Sequence, residues 1–171
     1  MRRYALGSVC SVRFARGLLR GGIAGAVATA CEAAWSACEP RLLGGRRPVF
    51  DTSLMARRLV RAATGRSLEP QEARRVGSIM RAVYGPTWAM LLGAATARRR
   101  PDLLRTTLLL AAAIWLIELA TLPRVRATPP LRLWPATDVA LDLSNTLVYA
   151  TVATLVLRAL SAEALTAETD R

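Results

Sequence analysis

The chain has 171 residues, 24 basic against 12 acidic, giving a formal net charge of +12; 53% are hydrophobic and the mean hydropathy is +0.28. Apolar spans separated by charged loops account for that combination better than a water-soluble domain does. Every basic residue is arginine and there is no histidine, a bias expected of a GC-rich genome; the arginine clusters lack interleaved aromatics, so no nucleic-acid partner is read from the charge.

In chain order, residues 1–17 form a basic arm with Arg2, Arg3, Arg13 and Arg16, read as an interfacial or flexible lead. Four apolar stretches follow, at 18–37, 76–97, 103–122 and 136–160. Each has about the ~20 residues that carry an α-helix across the hydrocarbon core of a bilayer. They predict an all-α, polytopic membrane protein, with a four-helix transmembrane domain over 18–160 and a polar, frayed tail at 161–171. Ala28-Thr29-Ala30 before Cys31 resembles a signal-peptidase or lipoprotein cleavage site. Arg20 at the start of the run and its continuation to Trp35 favour a retained helix.

The first span carries Gly17, Gly21 and Gly25 at intervals of four. Small residues at that spacing let a second helix backbone approach closely, so they are expected to pack against a neighbour in the same chain. In the loop that follows, Asp51 is placed to cap a helix running to about Thr64, with Gly65 as its stop. Arg57, Arg58 and Arg61 form a basic side and Leu54, Met55 and Leu59 an apolar one. This amphipathic helix either lies along anionic head groups or folds over the end of the bundle. Pro70 is expected at the first position of the next helix. Arg98, Arg99 and Arg100 form a tight basic turn facing lipid head groups, and residues 123–135 are a rigid, proline-rich connection.

Ionisable residues sit inside these spans, where a charge near the bilayer centre costs roughly 2.5–3.5 kcal/mol even on the mildest scale. Asp138, Asp142, Asn145 and Tyr149 form one helix stripe, and Gly77, Arg81, Tyr84 and Trp88 form another. Both are expected to face the bundle interior, because lipid cannot satisfy them. Arg81 is the deepest charge and requires a counter-ion; facing stripes rank Asp142 first and Glu118 second, with Glu32 also in reach. Glu32 and Asp138 lie near span ends and can reach the interface. The buried polar network is therefore Glu32, Arg81, Tyr84, Glu118, Asp142, Asn145 and Tyr149. It either fixes helix register or forms a pathway that responds to protons or ions.

No Cys-x-x-Cys is present, so thiol exchange lacks its pair, and scattered Cys and carboxylates without histidine make a poor metal site. No metal and no cofactor are expected, and Cys31 and Cys38 read as small buried hydrophobes. The halves are faintly alike: Trp35 with Glu39-Pro40 matches Trp115 with Glu118 and Pro123, and residues 80–85 match 145–150, with Tyr84 and Tyr149 in register.

Gly22 to Gly25 through Trp35 and Glu39-Pro40-Arg41, then Ile114-Trp115, Leu122-Pro123, Pro129-Pro130 and Trp134, resemble the YagU-like inner-membrane proteins, loosely from Gly17 to Tyr149. The resemblance implies a bacterial inner-membrane protein linked to acid resistance. That family places histidines near Glu118-Leu119 and near Asn145. This chain has none, which leaves only carboxylates to titrate.

The expected function is thus that of a small membrane protein with a proton- or ion-responsive polar core. The competing reading is an accessory subunit that packs against a protein partner, a second copy or anionic lipid. A membrane enzyme is disfavoured, since no nucleophile–base pair or phosphate loop is evident. The positive-inside count nearly balances, and the dense Arg98–Arg100 cluster leans the termini to the cytoplasm.

Overall fold

A computed structural model describes residues 2–38, 52–97, 100–124 and 126–169, with side chains from 12 to 162 within those ranges. Among the described residues every element is helical: α1 (Arg2–Ser36), α2 (Thr52–Thr64), α3 (Pro70–Ala95), α4 (Leu103–Thr121), a 3-10 turn (Leu131–Leu133) and α5 (Ala136–Thr169). Asp51, Arg98 and Arg99 lie outside the described residues. The basic arm is not a separate lead but the first turns of α1, and the tail expected to fray continues α5 to Thr169. Alanine, leucine and arginine are strong helix formers, no proline stands at either boundary, and Gly17 is carried inside α1 by its packing on Gly93.

Local chemistry sets the other boundaries. Glu69 caps α3 in a reciprocal box with Glu72, and Pro70 takes the first helical position. Asp102 caps α4 by accepting the Arg105 backbone N–H at 2.8 Å. Gly65, at φ 73°, supplies the left-handed residue that ends α2. In the proline-rich connection the Trp134 indole donates to the Pro129 carbonyl at 2.9 Å, locking the turn that starts α5.

α1 packs along α3 and α5, α4 packs on α5, and α2 lies across α3. The α1–α3 seam is a backbone-to-backbone contact. A Cβ placed on Gly17 would sit 2.5 Å from the Gly93 carbonyl oxygen, one on Gly21 2.7 Å from Met90 Cα, and one on Gly25 2.6 Å from Pro86 Cα. α3 answers with its own four-residue series, Gly85, Ala89 and Gly93, running antiparallel. Such approach leaves no room for any larger residue.

The interior is rich in small residues: Ala24, Ala28, Ala89, Ala150 and Ala153 are fully buried, with Leu110, Ile114, Tyr149 and Leu157 the larger side chains among them. Large apolar side chains point outward on all four long helices, among them Leu19 and Ile23 on α1, Ile79 and Val83 on α3, Leu109 and Leu116 on α4, and Leu147 and Leu155 on α5. Two helices, Leu103–Thr121 and Ala136–Ala162, are long and apolar enough to cross a membrane. α1 and α3 carry more charge, notably Arg13, Arg16 and Arg20 on one and Arg74, Arg75 and Arg81 on the other. Cys31 and Cys38 are exposed, not buried as expected; Cys31 falls on the outward side of α1, whose inner face is given to Ala24, Gly25 and Ala28, and Cys38 lies in the turn that follows α1.

α2 packs across α3 at the end of the bundle, the second of the two roles open for it. Thr52 of α2 seats on Gly77 of α3, where a Cβ would come within 2.9 Å of the Thr52 carbonyl oxygen. Arg57 and Arg58, expected to face lipid, are turned to loop carbonyls instead: Arg57 Nε donates to Leu68 O at 3.1 Å, and Arg58 Nη1 to Ala127 O at 2.9 Å. Unpaired carbonyls in a connecting loop hold a guanidinium better than a screened head-group contact does. Arg61 and Arg100 remain exposed. Accordingly, Arg58→Met should cost about 1.5–3 kcal/mol, the range for hydrogen bonds to a charged group. Arg61→Met should stay within about 0.5 kcal/mol. Thermal unfolding in detergent, with protease cleavage of the 123–135 loop, measures both.

Candidate functional site

The four long helices and α2 together line one cavity of about 670 Å³. Its polar wall contains Glu32 from α1, Arg81 and Tyr84 from α3, Glu118 from α4, and Asp142, Asn145 and Tyr149 from α5. Residues from four helices, far apart in sequence, thus share one space. The apolar wall is Ile79, Met80, Val83 and Trp88 from α3, Ile114, Ile117 and Leu122 from α4, and Met55 and Leu59 from α2, which covers one end. Ile114 and Tyr149 also belong to the packed core, so the cavity grows directly out of it.

Arg81 finds its ion pair on α1. Its Nη2 lies 3.7 Å from Glu32 Oε1, with the side chains 30% and 17% exposed. The facing-stripe argument ranked Asp142 first; that carboxylate instead accepts the Trp115 indole N–H at 2.9 Å through Oδ2. The reason is the glycine seam. It draws α1 against α3 and brings Glu32 within reach of Arg81, while α4 supplies Asp142 with a neutral donor. Glu32 is therefore joined to Arg81 in the network. Asp138, also expected near the interface, is 3% exposed in the first turn of α5.

Further contacts hold the polar wall in place. The Tyr149 hydroxyl donates to the Gly85 carbonyl, one residue before Pro86. Gly85 has no side chain to obstruct it; a Cβ there would meet Tyr149 Cε2 at 3.3 Å. Trp35 Nε1 donates to Ser144 Oγ at 3.2 Å and ties α1 to α5 just beyond the cavity. Thr146 turns its hydroxyl back to the Asp142 carbonyl at 3.0 Å, satisfying it within α5. Tyr84 stands against the Glu118 carboxylate, with the Asp142 and Glu32 charges nearby. Its ring meets Trp88 edge-to-face, with centroids 6.1 Å apart.

Among the described residues, three carboxylates and one guanidinium line this space, which has apolar sides. They are spread around the wall: among the described residues no group of three His, Cys, Asp or Glu side chains is arranged to hold a metal ion. Sequence reasoning missed Trp115 as the donor to Asp142, although an indole N–H buried in an apolar helix needs an acceptor. It also missed Gly85 and Gly93, whose four-residue spacing through Ala89 mirrors Gly17, Gly21 and Gly25. No family model matches the chain, and no curated protein or solved structure is significantly similar to it.

Proposed function

We propose that this chain is a four-span protein of the bacterial inner membrane, with α1, α3, α4 and α5 crossing the bilayer, and that its cavity is a site responsive to protons or small cations. The observation that carries this is the inverted distribution of side chains. Bulky apolar residues face outward on all four long helices, the closest helix seams are made of small residues, and ionisable residues from four helices converge on one internal space. In water such a surface would aggregate; in lipid it is the expected exterior, and close small-residue seams supply the packing that the hydrophobic effect does not. Kinship with the YagU-like proteins and cytoplasmic termini belong to the same reading. They rest on the Trp35, Trp115 and Trp134 surroundings and on the Arg98–Arg100 turn.

Protons are the simplest input. The charged and titratable groups facing one another are Glu32 from α1, Arg81 and Tyr84 from α3, Glu118 from α4, and Asp142 and Tyr149 from α5. Protonating Asp142 alters the carboxylate that holds the Trp115 indole, so acidification should change tryptophan emission of the purified protein in detergent. Asp142→Asn should remove most of that change. A wild type whose emission does not respond to acid favours the accessory-subunit reading, in which the charges only fix helix register. Co-purification of a membrane partner then tests that reading. For topology, a cytoplasm-active reporter fused after Arg171 should be active and a periplasm-active one silent.

A further inference from the structure

We infer that the open side of the cavity binds one anionic phospholipid, with an acyl chain between α3 and α4 and its phosphate between Arg75 and Arg124. This rests on the four-span placement above, not on the response to ions, and adds a lipid site with its residues. The gap between two helices is the first ground. Extensive packing joins α3 to α1 and α2, and α4 to α5; among the described residues no comparable seam joins α3 to α4. Ile79 and Val83 of α3 and Ile117 of α4 line the cavity, yet remain 64%, 62% and 45% exposed. The cavity therefore has one open, apolar side, which in a bilayer faces hydrocarbon. Lipid tails are as apolar as this cleft, so the hydrophobic effect selects no occupant there. A chain fills the cleft through dispersion contacts, and the choice among lipids falls to the head group.

The charge at one end of the cleft is the second ground. α3 begins and α4 ends on the same side of the bundle, since α2 donates both to the loop before α3 and to the loop after α4. On α3, Arg75, Ile79 and Val83 follow one another at intervals of four. An exposed guanidinium thus stands one turn from the apolar face, towards that end. On α4, Ile117 and Thr121 lead to Arg124, exposed in the turn past the helix, with its guanidinium donating to the Ala120 carbonyl. That bond uses one of five N–H donors. Glu72, one turn before Arg75, is already held by Arg66 at 3.0 Å. Among the described residues neither Arg75 nor Arg124 has an ion pair. Arginine forks match phosphate oxygens bidentately, so two of them flanking an apolar cleft complement a phosphate carried above a hydrocarbon chain. A zwitterionic lipid brings its own ammonium, which offsets that attraction.

The test uses the full chain purified in detergent, with retained lipids counted by native mass spectrometry across a titration. The probes are phosphatidylglycerol, phosphatidylcholine with the same acyl chains, and glycerol 1-phosphate, the head group without chains. Phosphatidylglycerol should fill one site, and each of the other two should be weaker by at least about tenfold. Arg75→Gln and Arg124→Gln, both at exposed positions, should each weaken phosphatidylglycerol by about fivefold and leave phosphatidylcholine unchanged. Arg61→Gln, exposed on α2 and not part of the cavity wall, should change neither. Val83→Trp should fill the cleft and weaken both lipids. Equal binding of the two lipids, an Arg61→Gln loss matching that of Arg75→Gln, or full affinity in Val83→Trp overturns the proposal. Binding of glycerol 1-phosphate as tight as that of phosphatidylglycerol overturns it in favour of a soluble phosphate. The comparison of probes needs no variant and stands even if a substituted chain misfolds. The acid response of tryptophan emission is measured without added lipid. A protein that responds to acid but shows no lipid preference loses this site and keeps the ion-responsive cavity, whereas one that prefers phosphatidylglycerol but ignores acid keeps this site and loses the ion response.

Discussion

Gly21→Leu is expected to be the most damaging single substitution in the protein, lowering the midpoint of thermal unfolding in detergent or abolishing recovery of folded material. The added side chain enters a seam where even a Cβ would lie 2.7 Å from Met90 Cα and against the Ala89 carbonyl. These are backbone atoms of α3, so no rotamer change relieves the clash; the helices must separate. Overpacking of a core costs typically ~1–3 kcal/mol. Here separation also pulls Glu32 away from Arg81, so the loss should reach or exceed the top of that range. Gly22→Leu is the internal control. Its Cβ would rest 3.5 Å from the flexible Met90 side chain, and it should unfold close to the wild type. Equal effects at the two positions would mean that helix propensity, not the seam, governs stability.

The second large effect is an asymmetry within the Arg81–Glu32 pair. Removing one member of a buried pair strands the other, at ~3–5 kcal/mol, whereas removing both is often nearly neutral. In this cavity the two deletions are not equivalent. Arg81→Leu removes the guanidinium that the described cavity wall sets against Glu32, Glu118 and Asp142, while Glu32→Gln removes one carboxylate and keeps Arg81 beside the other two. Arg81→Leu should therefore fall in the full range, Glu32→Gln should cost clearly less, and the double variant should recover part of the Arg81→Leu loss. A double-mutant cycle in thermal or denaturant unfolding measures this. Strict additivity would show that the 3.7 Å pair carries no coupling, and a Glu32→Gln loss equal to that of Arg81→Leu would refute the charge imbalance.

What the sequence determined by itself was local. Helix limits at Pro70, Asp102 and Thr64 follow from capping residues, a helix-initiating proline and a positive-φ glycine, each acting within one turn. The sequence also held the polar stripes, since the period of an α-helix puts Asp142, Asn145 and Tyr149 on one face whatever surrounds them. For the same reason the seven network residues could be named before any fold was known, and Gly17, Gly21 and Gly25 stood out as a packing edge. Where a boundary lacked such a signal, at the basic arm and the polar tail, the reading stopped the helices short of α1 and α5.

Only the tertiary structure decided who meets whom. Periodicity fixes the face of a helix but not its neighbour, and the choice between Asp142 and Glu32 as the Arg81 partner turned on which helices lie in closest contact. The backbone seam drew α1 to α3 and gave the pair to Glu32; α4 gave Trp115 to Asp142. The same holds for Arg57 and Arg58, which look like head-group ligands on an isolated amphipathic helix. Once α2 is seated on Gly77, the nearest acceptors are the carbonyls of Leu68 and Ala127. A cavity is the extreme case. It is the space left by five helices packed at once, and no residue spacing along one of them encodes its volume or its open side.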